Sequence, residues 1–89
     1  MQQVSYNNHD IRKVSVVPVI ASFDSEGHIK PLYVRINGLS CKVLSYWIKS
    51  TFINFVAFNC MVQVGELAKP VTLTYFIDET IWTMPNTPN

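Results

Sequence analysis

Read as apolar and polar positions, most of the chain shows a period of two. Leu32, Val34 and Ile36 alternate with Tyr33, Arg35 and Asn37, and Leu39, Cys41, Val43, Ser45 and Trp47 resume the alternation beyond Gly38. That period marks a strand, because successive side chains point to opposite faces. Asn37-Gly38 stands between the two runs. It is the strongest short-range hairpin signal, since a type I′ turn needs positive φ at both central residues. Gly27 to Trp47 therefore reads as strand, tight turn, strand, and the flanking segments are expected to add strands to it.

Upstream, Val14–Phe23 is dense in β-branched residues, which suit a pleated, half-buried surface. Pro18 stands inside this run. Proline cannot donate to a ladder, so the strand is expected at an edge or with a bulge there. Asp24-Ser25-Glu26-Gly27 has turn chemistry, which makes Val14–Phe23 and Ile29–Asn37 an antiparallel pair. Leu39–Trp47 reads as the third strand. A short helix over Ser45–Thr51 is the alternative, because Cys41, Leu44 and Ile48 also align at helical spacing.

In Phe55–Val64, Val56, Phe58, Cys60, Val62 and Val64 form an apolar face, and Phe55, Ala57, Asn59, Met61 and Gln63 a mixed one. Gly65-Glu66-Leu67 breaks the run. Val71–Ile77 follows, with Val71, Leu73, Tyr75 and Ile77 on one side. Asp78-Glu79-Thr80 is a turn, and Ile81–Met84 is the last strand. Five or six short strands separated by turns predict an all-β domain, a small antiparallel barrel of the SH3-like kind. Residues 1–11 and 85–89 read as flexible tails, the first tied down at most through Val4 and Tyr6, the second rich in proline.

Composition narrows this further. At 89 residues the chain has room for one domain. A hydrophobic share of 48% argues against intrinsic disorder, and a charged share of 15% is low enough to favour self-association. The net charge of +1 does not advertise nucleic-acid or membrane-surface binding. The N-terminus lacks a secretory apolar stretch, and the longest apolar runs are too short to span a bilayer. With Met1 in place, the chain reads as a complete cytoplasmic protein without membrane partners. Cys41 and Cys60 suit a reducing compartment as small buried hydrophobes rather than a disulfide.

Candidate chemistry is sparse. His9, His28, Cys41 and Cys60 are a formal zinc set, but no pair has ligand spacing. Both cysteines fall in apolar strands, where a thiol is inert as a nucleophile. Asp78-Glu79 are adjacent in a turn, where acids are simply hydrated, and three glycines make no phosphate-cradling loop. The expectation is a non-enzyme with no cofactor and no metal. Aromatic residues, 12% of the chain, stand above background. Most belong in a core by the simplest account. Tyr33, Arg35, Tyr46 and Trp47 are the candidates for an exposed binding face, with Lys30 close to the first two.

At GHIKPLYVRINGLSCKV and LTYFIDETIWTM the pattern resembles short, uncharacterised all-β proteins of Gram-positive bacteria and their mobile elements. The matching positions are Gly27, Pro31, Leu32, Gly38, Val43, Tyr75, Asp78, Glu79 and Trp82, over about two-thirds of the chain. Acids that commonly follow the second turn in that group are absent between Leu39 and Phe55. The resemblance implies a small β-barrel of bacterial origin and no activity.

Two functional readings follow. The first is a protein-interaction module, self-associating or binding a partner through the edge strand marked by Pro18 or the mixed face at Phe55, Ala57, Asn59 and Met61. The second is single-stranded nucleic-acid binding by the aromatic and basic face at Tyr33, Arg35, Tyr46 and Trp47. The charge balance does not oppose the first.

Overall fold

The computed structural model describes residues 14–86. The seven strands found there are β1 (Val14–Val17), β2 (Val19–Phe23), β3 (Ile29–Ile36), β4 (Leu39–Thr51), β5 (Phe55–Val64), β6 (Leu67–Phe76) and β7 (Ile81–Pro85). They form one antiparallel sheet in the order β1-β7-β6-β5-β4-β3-β2. The all-β class is as expected from the alternation. The number of strands is seven rather than five or six.

The extra strand comes from Pro18. The run Val14–Phe23 is two strands, not one. Val14–Val17 pairs with β7, with Val17 opposite Trp82, and Val19–Phe23 pairs with β3, with Val19 opposite Val34. A residue without an N–H cannot continue a ladder, so the chain changes partner where the proline stands. β1 and β2 are therefore the opposite edges of the sheet, yet one residue separates them. The sheet must curl until its edges approach, and the result is an open, barrel-like half-cylinder. The Arg35 N–H donates to the Pro18 carbonyl at 3.0 Å, which ties the corner to β3. Below it a seam of about 510 Å³ stays open between Ser15–Pro18 and Arg35–Gly38.

Other boundaries also moved. β4 runs straight through Ser45–Thr51, so the helical alternative is wrong. Its ladder to β5, from Val43 opposite Val62 to Thr51 opposite Val56, satisfies the backbone that a helix would have had to satisfy locally. β6 begins at Leu67, four residues before Val71, because Gly65-Glu66 makes a two-residue hairpin loop between Val64 and Leu67. Gly65 has φ 63° and Glu66 is not in the positive region, as a type II′ turn requires. At Asn37-Gly38 both residues have positive φ, 52° and 80°, the type I′ geometry expected there. Pro85 closes β7 opposite Val14 and is not tail. Pro85 is held at a position next to an edge strand. The expected tail over 1–11, with Val4, Tyr6 and His9, lies outside the described residues, as do 87–89.

Three bulges bend the sheet and change which side chains face inward. Leu32, Leu44 and Lys49 are each an extra residue against the facing strand. A bulge shifts the alternation by one and increases local twist. Pro31 and Val34 are thus buried on the concave face while Leu32 is partly exposed. Past Leu44, Tyr46 and Ile48 turn inward opposite Cys60 and Phe58, and Trp47 turns outward opposite Asn59. The concave core is Val34, Cys41, Val43, Phe58, Cys60, Val62, Leu73 and Trp82, with Val17, Val19, Ala21 and Tyr75 packed against it. Phe23 on one edge strand meets Tyr75 at a ring-centroid distance of 5.6 Å, a contact across the half-cylinder that a flat sheet could not make.

Two substitutions separate core burial from turn conformation. Leu73, fully buried, is expected to cost about 3 kcal/mol as Leu73→Ala. At Gly38 an added Cβ meets nothing within 4 Å, so Gly38→Ala carries only the left-handed backbone cost of about 1–2 kcal/mol. Urea unfolding of the two variants is expected to rank them in that order.

Candidate functional site

The hairpin meander puts alternate loops at alternate ends. The β2–β3, β4–β5 and β6–β7 loops share one end, which we call the upper end. The Asn37-Gly38 and Gly65-Glu66 turns share the lower end with the start of β1 and the finish of β7.

The upper end is strongly apolar. In the β4–β5 loop the Phe52 N–H donates to the Phe55 carbonyl at 2.8 Å, and the Ile77 N–H donates to the Asn54 carbonyl at 2.9 Å. These bonds hold the loop upright and leave Ile53 at its tip, 98% exposed. Phe52 stacks on Phe55 at 4.8 Å between ring centroids, and Phe55 meets Phe76 at 5.7 Å. Phe52 is nevertheless 60% exposed, and Phe23 and Ile77 also open to solvent. Beside this loop the concave face opens into a cleft of about 360 Å³. Tyr46, Ile48, Val56 and Phe58 line it from β4 and β5, and Gly27–Lys30 form its opposite wall. Tyr46 stands edge-on to Phe58 at 6.0 Å, and Ile48 is 60% exposed on the face that elsewhere forms the core. An apolar patch of this kind, rimmed by polar residues, marks a contact surface.

The rim is acidic. Asp24 and Glu26 lie in the β2–β3 loop, and Asp78 and Glu79 in the β6–β7 loop. Lys30 and Lys49 are the bases near this end. Asp24 organises its loop. Its Oδ1 accepts from the N–H groups of Glu26 at 2.9 Å and His28 at 2.8 Å, and its Oδ2 lies 3.0 Å from His28 Nδ1. The His28 backbone N–H above all holds the Asp24 carboxyl below its ordinary value of 3.8, against the opposing effect of desolvation, with the His28 ring and the Glu26 N–H adding lesser contributions.

The four residues expected to form one binding face do not share one. Tyr33 lies opposite Lys42 and Arg35 opposite Ser40 on the convex side. Trp47 is also convex, farther along β4. Tyr46 is on the concave side, in the cleft. Alternation alone separates the adjacent Tyr46 and Trp47, and the bulge at Leu44 decides that Tyr46 is the one turned inward. Lys42 is the residue that sequence reasoning missed on the convex face. The mixed face of β5 is partly consumed by the sheet itself. Ala57 is buried, and Asn59 accepts from the Thr72 hydroxyl at 3.2 Å.

The formal zinc set is not brought together. His28 sits in an exposed loop, Cys41 and Cys60 are buried free thiols, and His9 lies outside the described residues. Among the described residues no cluster of three or more His, Cys, Asp or Glu forms. Burial pushes the Cys60 thiol up to about 11, opposed by a hydrogen bond from the Leu73 backbone. No helix among the described residues is long and apolar enough to cross a membrane. No family model matches the chain, and neither the curated proteins nor the solved structures contain a match.

Two outcomes test this geometry. Neither thiol is expected to react with a disulfide reagent in the native protein near neutral pH, and both are expected to react once it is unfolded. The Asp24 contribution is fully present above the ordinary carboxyl value of 3.8 and fades as pH falls through the lower folded value. The stability gap between the wild type and Asp24→Asn is therefore expected to shrink as pH falls below about 4 in acid-titrated melting curves.

Proposed function

We propose that this chain is a non-enzymatic β-sheet interaction module that acts through protein contacts made by its upper end, in the cytoplasm. The observation that carries the reading is the Ile53 tip, fully open to solvent and backed by the stacked Phe52 and Phe55 beside an apolar cleft. Exposing such side chains has no benefit for folding. Tight bonds at both sides of the tip present them instead of letting them collapse onto the core. A central apolar anchor with a charged rim suits a protein partner. The SH3-like description and the resemblance to short Gram-positive all-β proteins belong to this proposal, the first resting on the curled antiparallel sheet and the second on the turn residues.

A second reading has its own observation. Tyr33, Lys42 and Arg35 are neighbours by register on the convex face, a stacking ring beside two cations, as single-stranded nucleic acid would require.

An amide-shift titration separates the two. The expected result is concentration-dependent broadening at 48–56 and 76–78 that salt does not weaken, abolished by Ile53→Asp with stability unchanged to within about 0.5 kcal/mol. Shifts on Tyr33, Arg35, Lys42 and Trp47 with mixed-sequence single-stranded RNA or DNA, lost as salt rises, together with no response at the upper end, would replace this reading by the second.

A further inference from the structure

We propose that the partner of the upper end is the lower end of a second copy, so that the chain associates head to tail. This rests on the protein-contact reading above and names its partner.

The lower end carries its own apolar opening. Leu39 begins β4 and Leu67 begins β6, and they are 63% and 60% exposed. Leu39 lies opposite Ile36 and Leu67 opposite Val64, so both belong to the concave side of the sheet at its lower mouth. Each end of the half-cylinder thus leaves large apolar side chains uncovered: Phe52, Ile53 and Ile77 above, Leu39 and Leu67 below.

Charge decides how two such molecules meet. Of the five acids among the described residues, Asp24, Glu26, Asp78 and Glu79 are at the upper end, where they outnumber Lys30 and Lys49. Arg35, Lys42 and Lys69 lie toward the lower end, where Glu66 is the one acid among the described residues. Upper end against upper end would set four acids against four in a shrinking dielectric, and lower against lower would oppose the bases. Like-charge juxtaposition is costly as water is excluded and suppresses the wrong pairing. Upper against lower puts acids beside bases around an apolar centre. That contact is heterologous, so each copy keeps one free end of each kind, and the assembly grows into a ring or a filament.

Pairing through the sheet edges competes poorly. β1 and β2 have four and five residues, and Pro18 interrupts the row between them. Short edges and proline are the features that discourage strand addition.

Light scattering coupled to size exclusion, run from micromolar to millimolar chain, tests the proposal on full-length protein. The wild type is expected to gain mass with concentration. Ile53→Asp, which disables the upper end, and the double variant Leu39→Asp/Leu67→Asp, which disables the lower, are each expected to stay monomeric. Mixed, they are expected to form a species of twice the monomer mass that grows no further, because one good end of each kind remains. Amide spectra of both variants confirm that they are folded, and Leu67→Asp alone serves in place of the double variant if that one is not. Association of the lower-end variant on its own would overturn the head-to-tail contact in favour of an upper-to-upper one, with the protein-contact reading intact. A wild type monomeric at every concentration, or a mixture that stays monomeric, would also overturn it. A monomeric wild type would remove the protein-contact reading as well, since the broadening expected above would be missing, whereas association of the lower-end variant on its own removes only the head-to-tail contact.

Discussion

A proline has no N–H to give a ladder, and in this chain that single deficit at Pro18 sets the shape of the sheet. Because β1 and β2 are covalent neighbours and yet pair with β7 and β3, the two edges of a seven-stranded sheet are drawn toward one corner. The remaining strands have to supply the curvature. Bulges at Leu32, Leu44 and Lys49 do so by adding a residue to one strand and coiling it around its neighbour. The concave side that results is filled by Phe58, Leu73, Val62, Val34 and Cys60, all essentially inaccessible. Burying such side chains contributes about 1.5–3 kcal/mol each for the larger ones, which is the favourable side of a small domain's stability.

Curvature also explains where the apolar surface is left over. A half-cylinder has a middle, where opposite walls meet, and two mouths, where they do not. Residues of the same inward-facing set have different fates by height alone. On β4, Cys41 and Val43 are sealed, while Ile48, farther along the strand toward the upper mouth, stays open. The phenyl row of Phe52, Phe55 and Phe76 lies outside the core and extends the apolar surface of that mouth. With acids gathered in the two upper loops and three bases toward the lower half, the molecule has unlike ends. Unlike ends are the physical basis of a directional contact.

Much of the architecture was legible in the chain. Asn37-Gly38, with its demand for two positive φ values, led to a hairpin that holds, and Phe55–Val64 was a strand whose apolar face supplies Phe58, Cys60 and Val62 to the core, with Ala57 of its mixed face buried as well. These are local matters, decided by sterics within a few residues. The placement of Tyr33 and Arg35 on one face was legible for the same reason, since no bulge falls between them.

What the tertiary structure decided was everything that depends on a partner strand. A bulge is defined by the residue opposite, so the inward turn of Tyr46 and the outward turn of Trp47 could not be read from β4 alone. The conversion of Val14–Phe23 into two edge strands needed β7 to claim its first half, a contact between residues as far as 71 positions apart in the chain, Val14 and Pro85. Ser45–Thr51 had helical spacing as well as strand propensity, and only the ladder to β5 chose between them. Alternation along the chain determined that the protein is an antiparallel sheet with an apolar side. Pairing across the chain determined which residues that side contains, because a shift of one residue in register exchanges the two faces.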